Sequence, residues 1–341
     1  MCCFIVPPRV LERLARDRRL SAEERRSLLD TLRFEHEWRR QRDANVRASA
    51  ARSLLASAAP SNGAAGPPSI QVYDCGHGTS LPGKPIAAPG SDATSKNVFS
   101  TTTAVAEFYR TAFGRNSVDN AGMSLLSSVH FSVKYNNAFW NGAQMTYGDG
   151  DGSIFVDFSR GNDVIGHELT HGVTQFTLQL GYTNEAGGLN ESLSDVFGSM
   201  FRQWQAKQTA AEADWLIGRD IMGPAAIARG YTCLRDMASP AAKHCLAPQP
   251  DHFKKYKAGM DPHSSSGIPN LAFFKAATAI GGHSWETAGK IWYAALSGSG
   301  PKPSMKMSAF AKQTRTLASS NFPAQPSVAK AVDTAWKAVG L

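Results

Sequence analysis

Two histidines four residues apart constrain this chain more than any other feature. His167 and His171 stand in the string GHELTHGV, with Glu168 directly after the first. Helical periodicity predicts a helix over 163–180, on which positions i and i+4 share one face, so both imidazoles lie on one side. Converging neutral imidazoles suit Zn²⁺, and a catalytic zinc keeps a position open. Glu168 projects beside such an ion without ligating it, which leaves its carboxylate for general-base work. A third protein ligand is then required. The string GGLNESLSD places Glu191 and Asp195 at i and i+4 of a second predicted helix, 189–207. Glu191 follows His167 by 24 residues, enough for that helix to return to the ion. Asp195, on the same face, can accept the second ring N–H of His167, fixing its tautomer and strengthening the ligand.

The rest of the chain divides around this pair. Residues 9–19 and 21–43 carry Leu, Arg and Glu at helical spacing, and Ser21 with Glu24 forms a capping box for the second of these helices. The stretch 48–69, ASAARSLLASAAPSNGAAGPPS, reads as a flexible linker. Residues 1–47 are thus expected to form a separable helical appendage. From Ile70 to Phe158 the periodicity shortens, and alternation in SSVHFSVKY and QMTYGDG predicts strands joined by Gly/Asp turns. Helical periodicity returns over 163–180, 189–207, 268–281, 284–297, 304–318 and 325–338. The expected architecture is α+β, with a β-rich lobe and its zinc helix over 70–180 and a helical lobe over 181–341. The cleft between two such lobes is a natural site.

Composition excludes several classes. The net charge of +8 suggests a polyanion partner, but residues 1–52 hold 13 Arg against 8 acids, leaving only +3 for the remainder. No nucleic-acid motif accompanies that charge, and no such partner is expected. No run of 18 apolar residues marks a membrane span. The start, MCCFIVPPRVLERLARDRRL, lacks the layout of a signal peptide, so the expectation is a cytoplasmic protein, with export by a non-classical route left open; a monomer is expected. Five cysteines without a CxxC pair fit reduced thiols better than a disulfide scaffold, although Cys233 and Cys245 could pair across a loop.

The pattern HExxH followed by NExxSD resembles the thermolysin family of metallopeptidases. So do NNAFWNGAQMTYGDGDG at 136–152, GYTNEAGGLNES at 181–192, CLRDMASP at 233–240 and HSSSGIPN at 263–270. The likeness spans about residues 70–341. Residues 1–47, with a PPxxL string, resemble the short propeptide of the protealysin-like subgroup. The resemblance implies a two-lobed endopeptidase with one catalytic zinc held by His167, His171 and Glu191. Glu168 would be the general base, and Tyr182 and His263 would donate to the oxyanion. The stretch GMDPHSSSG departs from the family in being shorter before His263, and Asp261 within it is expected to orient that histidine. Asn137 and Arg235 would bond the substrate backbone along the edge formed by Ala138 and Trp140. Phe155, Val164, Ile217 and Leu234 would line an apolar pocket for the residue after the cleaved bond.

Secreted relatives use acids beside the zinc helix to bind paired calcium. Here Asp163, Asp214 and Asp220 remain, but Arg202, Leu216 and Arg219 fill other aligned places. Calcium needs six to eight oxygens, so the paired site is expected to be absent, with the arginines pairing Asp163 and Asp214 instead. The N-terminal segment implies an autoinhibited precursor. Pro7 and Pro8 would lie across the cleft, Phe4 or Val6 would fill the apolar pocket, and Cys2 or Cys3 would offer a thiolate to the zinc. Self-cleavage is expected at Ser53–Leu54 or Leu54–Leu55. Two other classes fit the residues less well: a binding protein on an inactive scaffold has no use for Glu168, and an aminopeptidase needs acids to grip a free amine, for which no motif is present.

Overall fold

The computed structural model describes residues 3–37 and 66–341. Cys2, the side chain of Cys3, and the Ser53–Leu54 and Leu54–Leu55 bonds lie outside the described residues. In chain order the elements begin with β1 (Cys3–Phe4), α1 (Pro8–Ala15) and α2 (22–37). There follow β2 (Ile70–Asp74), β3 (Lys84–Ile86), α3 (Ala93–Phe113), β4 (Leu125–Val129), β5 (Ala138–Trp140), β6 (Met145–Tyr147) and α4 (Asn162–Gln175). Then come α5 (Asn184–Ala206), β7 (Leu216–Ile217), α6 (Pro224–Ala228), β8 (Arg235–Asp236), α7 (Pro262–Ser265) and α8 (Gly267–Ile280), and last α9 (Thr287–Ser297), α10 (Met307–Asn321) and α11 (Pro326–Ala338). The architecture is α+β, a β-sheet N-terminal lobe and a helical C-terminal domain, as the sequence leads one to expect.

The described residues form two compact units. One takes those within Met1–Val173 together with Gly218–Cys233; the other takes Thr174–Ile217 together with Leu234–Leu341. The first is built on a six-stranded mixed sheet in the order β1-β5-β6-β4-β2-β3. β2, β4 and β6 run parallel, and the remaining pairs are antiparallel. β5 would be an edge strand without β1, which pairs with it in the register Cys3↔Trp140 and Phe4↔Phe139. An unpaired edge is a template for another extended chain, and here the N-terminal segment fills it.

Helix α3 corrects the reading of 70–158 as strands and turns. Its buried face is Ser95, Val98, Thr101, Thr102, Val105, Phe108 and Tyr109, a spacing of three and four that packs on β2 and β4. The Asp92 side chain accepts from Ser95 N to start the helix, and Gly114 ends it with φ +67°. The SSVHFSVKY alternation yields a strand only as far as Val129. Beyond it His130, Ser132 and Lys134 take positive φ, so the chain turns instead of extending. The capping box forms as expected: Glu24 N–H donates to Ser21 Oγ at 3.1 Å, and Ser21 N–H to Glu24 Oε2 at 2.6 Å.

The second unit is helical apart from the β7–β8 ribbon, whose register sets Ile217 opposite Arg235. Its core centres on Trp292, which stacks on Trp336 at 6.0 Å and meets Phe273 and Phe310 edge-on at 5.1 and 6.4 Å. Buried aromatics of this kind carry much of a domain's stability, and truncating one to Ala costs about 3–5 kcal/mol. Helix α5 is buried along almost its whole length, which holds its polar face, Glu191 and Asp195 included, fixed inside the unit. Among the described residues no helix is long and apolar enough to cross a membrane.

Candidate active site

In the first unit the site is built on α4. His167 and His171 are buried, and their Nε2 atoms lie 3.1 Å apart. Two nitrogens bound tetrahedrally to one zinc at about 2.0–2.1 Å would lie roughly 3.3 Å from each other, so this spacing fits a shared ion. Glu168 is fully buried beside them, and its Oε2 accepts the Trp140 N–H at 2.9 Å. Strand β5 and helix α4 are thereby tied together at Glu168. Their close approach depends on Gly172, where a Cβ would meet Val118 at 3.0 Å and the Trp140 ring at 3.3 Å. Tyr109 Oη and Thr170 Oγ1, 2.7 Å apart, brace the other side of α4 against α3.

Asn137, directly before β5, is fully buried and its carboxamide is spoken for. Oδ1 accepts from Val6 N and from Ala138 N, both at 3.0 Å. Nδ2 donates to Val6 O at 3.0 Å and to Glu35 Oε1 at 2.8 Å. Ile5 N–H continues the ladder to Ala138 O at 3.2 Å. Helix α2 braces the adjacent turn: Asn136 N–H donates to Thr31 Oγ1 at 3.0 Å and Asn136 Nδ2 to Ser27 Oγ at 3.1 Å. Glu24 bonds Ser153, and Glu23 pairs with Lys134. The edge that the sequence assigns to a substrate backbone is therefore covered by residues 3–6, with α2 behind them.

Of Phe4 and Val6, the two residues expected in the apolar pocket, the seat of Phe4 needs correction. Phe4 packs on Phe131, Tyr135 and Phe139, with the Phe139 ring at 5.2 Å, rather than among Phe155, Val164, Ile217 and Leu234. Val6 acts through its backbone on Asn137. All four expected pocket residues are fully buried, Phe155 and Val164 in the first unit and Ile217 and Leu234 in the second.

The second unit gathers another set. Tyr182 Oη donates to Glu191 Oε1 and lies 3.1 Å from His263 Nε2, which is 3.5 Å from Glu191 Oε2. Asp261 caps α7: its Oδ1 accepts from His263 N at 2.9 Å and lies 3.1 Å from His263 Nδ1. Burial alone would lower the His263 pKa, but the Glu191 and Asp261 carboxylates outweigh it and raise the value. Asp195 receives two bonds from Arg235, at 2.9 and 2.7 Å, and a third from Asn270 Nδ2 at 2.8 Å. Arg235 is fully buried; burial opposes its charge, yet Asp195 more than compensates and the guanidinium pKa is raised.

Gln249 is a site residue that the sequence does not reveal. It is buried, and its Nε2 donates to His263 O at 2.6 Å and to Ser266 Oγ at 2.8 Å, pinning the turn that carries His263. Gly267 leaves room for it, since a Cβ there would meet Gln249 Cβ at 2.5 Å. No motif signals this contact, which joins segments 14 residues apart.

At the places aligned with the calcium acids of secreted relatives, Asp214 is engaged by Arg202 at 3.4 Å, and Arg202 also donates to Leu216 O at 3.3 Å. Asp163 accepts from Gly218 N at 2.6 Å and from Val164 N at 3.1 Å. Cys75, Cys233 and Cys245 are thiols.

Residues 63–175 match the family described as thermolysin metallopeptidase, catalytic domain, and residues 179–341 match thermolysin metallopeptidase, alpha-helical domain. The chain is 40% identical over 290 residues to an extracellular metalloprotease of Pectobacterium carotovorum subsp. carotovorum, covering 81% of this chain and 82% of that protein. It is 39% identical over 282 residues to protease PrtS of a Photorhabdus strain, covering 79% and 76%. Among solved structures it resembles the precursor of protealysin, a metalloproteinase from Serratia proteamaculans, with a TM-score of 0.84, 37% identity and 99% of each chain covered.

Proposed function

The chain belongs to the thermolysin family of metallopeptidases, and from that membership we propose a zinc endopeptidase made as an autoinhibited precursor that cuts before bulky hydrophobic residues. The family implies zinc, and His167, His171 and Glu191 are a donor set compatible with it. The observation that carries the finer reading is the double bond pair between Val6 and Asn137: an extended N-terminal segment holds the strand edge to which a peptide substrate would add. The solved precursor that covers 99% of this chain supports the same reading.

A bound zinc ion supplies Lewis-acid charge to the scissile carbonyl. Glu168 takes a proton from the attacking water as its oxygen bonds to the carbonyl carbon, and delivers it to the amine as the C–N bond breaks. The Trp140 N–H fixes Glu168 Oε2 for this task. Tyr182 Oη and His263 Nε2, held by Asp261 and Gln249, donate to the developing oxyanion. Arg235, locked by Asp195, holds a substrate carbonyl. Phe155, Val164, Ile217 and Leu234 favour a large apolar residue after the cleaved bond, by burial of its surface.

The test is a peptide digest by zinc-loaded, trimmed protein, with product masses read out. Cleavage before Leu, Phe or Ile that stops with o-phenanthroline and persists in EGTA, with an unchanged melting temperature in EGTA, is the expected result. Cleavage elsewhere would overturn the specificity, and a large EGTA effect would overturn the replacement of paired calcium by Arg202.

A further inference from the structure

The basic charge left after the N-terminal segment is concentrated at the other end of the chain. Residues 301–341 hold six Lys or Arg and a single acid, Asp333. That acid is already shared by Arg315 at 2.8 Å and Lys337 at 2.6 Å. Four lysines in this stretch make no ion pair among the described residues, and three of them, Lys302, Lys306 and Lys312, border one groove of about 1040 Å³. No acid lines it. Its other walls include Pro303, Met305, Ala309 and Leu317. The carboxylate that reaches this segment from α5, Glu185, is engaged by Met307 N at 2.9 Å.

The groove is also shaped in advance. Pro301 and Pro303 restrict the backbone on either side of Lys302. Lys302 N–H donates to Leu178 O at 2.6 Å and Gly181 N–H to Pro303 O at 2.8 Å. Those bonds anchor the groove wall to the segment ending one residue before Tyr182. Three exposed ammonium groups around apolar surface fit an extended chain that alternates carboxylates with apolar side chains. Such charges attract and orient it, and the floor takes its apolar residues.

We propose that this groove is an exosite for an acidic stretch of a protein substrate, bound apart from the scissile bond; the word substrate rests on the proteolytic reading above. A long acidic substrate would then gain affinity from the groove, while a short neutral peptide would not touch it.

The experiment has two arms. In the first, a fluorescein-labelled peptide of alternating Glu and Leu is titrated by anisotropy into zinc-loaded Glu168→Gln protein and into the same protein carrying Lys302→Ala, Lys306→Ala and Lys312→Ala. The three side chains are exposed, so the variant is expected to fold, which its melting temperature checks. The expected result is a Kd weaker by at least about 10-fold in the variant, with added salt weakening the parent's binding. A Gln-for-Glu peptide should not bind. Equal affinity in parent and variant, or equal binding of the Gln peptide, would overturn the exosite. In the second arm, the lysine changes are placed in active protein: KM should rise for a substrate with an acidic extension and stay unchanged for a short neutral peptide. An unchanged KM for the extended substrate would overturn it. Failure to cleave either substrate would instead count against the proteolytic reading, while the binding arm still decides the groove.

Discussion

Val6 and Asn137 bond each other twice, backbone N–H to Oδ1 and Nδ2 to backbone carbonyl, each at 3.0 Å. A primary carboxamide offers a donor and an acceptor side by side, so it can satisfy both polar groups of one residue in an extended chain. In the full chain that partner is Val6. After removal of the N-terminal segment, the same two atoms would be left for a substrate backbone.

Glu35 completes this clamp, because its buried Oε1 accepts the remaining bond of Asn137 Nδ2 at 2.8 Å. Removing one partner of a buried hydrogen bond costs about 1–3 kcal/mol. Glu35→Ala is therefore expected to weaken docking of α2 and raise the initial activity of the untrimmed chain by about 10-fold or more. Peptide hydrolysis in the first minutes, with intact mass checked in parallel, measures it. Unchanged latency would remove Glu35 from the inhibitory contact.

Gln249 is expected to act on catalysis through His263. Its side chain holds the His263 carbonyl, so Gln249→Ala frees the turn while leaving His263 itself in place. Small misplacements of a positioned group are costly, and a fall in kcat of about 10-fold with KM little changed is expected. Ser266→Ala, which removes the other bond of Gln249 Nε2, should have a smaller effect. A loss of melting temperature with normal kcat in the folded fraction would make Gln249 structural only.

A pH effect on stability should come from His130. The hydrogen bond to Asp149, with Asp92 and Asp74 nearby, outweighs partial burial and raises its pKa from 6.5 to about 9. A group whose pKa rises on folding stabilises fully below its unfolded value and loses that contribution as pH climbs through the folded value. Stability from this cluster is thus present in full below 6.5 and fades on passing about 9. Melting temperatures across that window, in a Glu168→Gln background that prevents self-cleavage, should fall less steeply for His130→Gln. Parallel curves for the two proteins would reject the assignment.

Much of this was legible in the sequence because it rests on local spacing. The periodic helix over 163–180 puts the i,i+4 histidines on one face, and the capping box from Ser21 to Glu24 is four consecutive residues of local chemistry. Helix α3 was hidden for a physical reason: its buried face uses Ser95, Thr101 and Thr102 where an apolar pattern is sought, and its β-branched residues favour strand. Phe4 could be read as a buried aromatic, but its neighbours Phe131, Tyr135 and Phe139 depend on a strand pairing across more than a hundred residues. Gln249 was invisible on the same ground, since nothing in a glutamine's sequence neighbourhood names the carbonyl it will bond.

On the proposed reading, the untrimmed chain is a latent zinc peptidase whose own Glu168 frees it. Intact mass and peptide hydrolysis followed together on zinc-loaded wild type and Glu168→Gln test it most directly. Wild type should shorten within 48–69 and gain activity as it does, while Glu168→Gln should stay full length, hold zinc and remain at least about 10²-fold less active. Fully active wild type that never shortens, or a Glu168→Gln chain that cleaves peptides at the wild-type rate, would contradict the account.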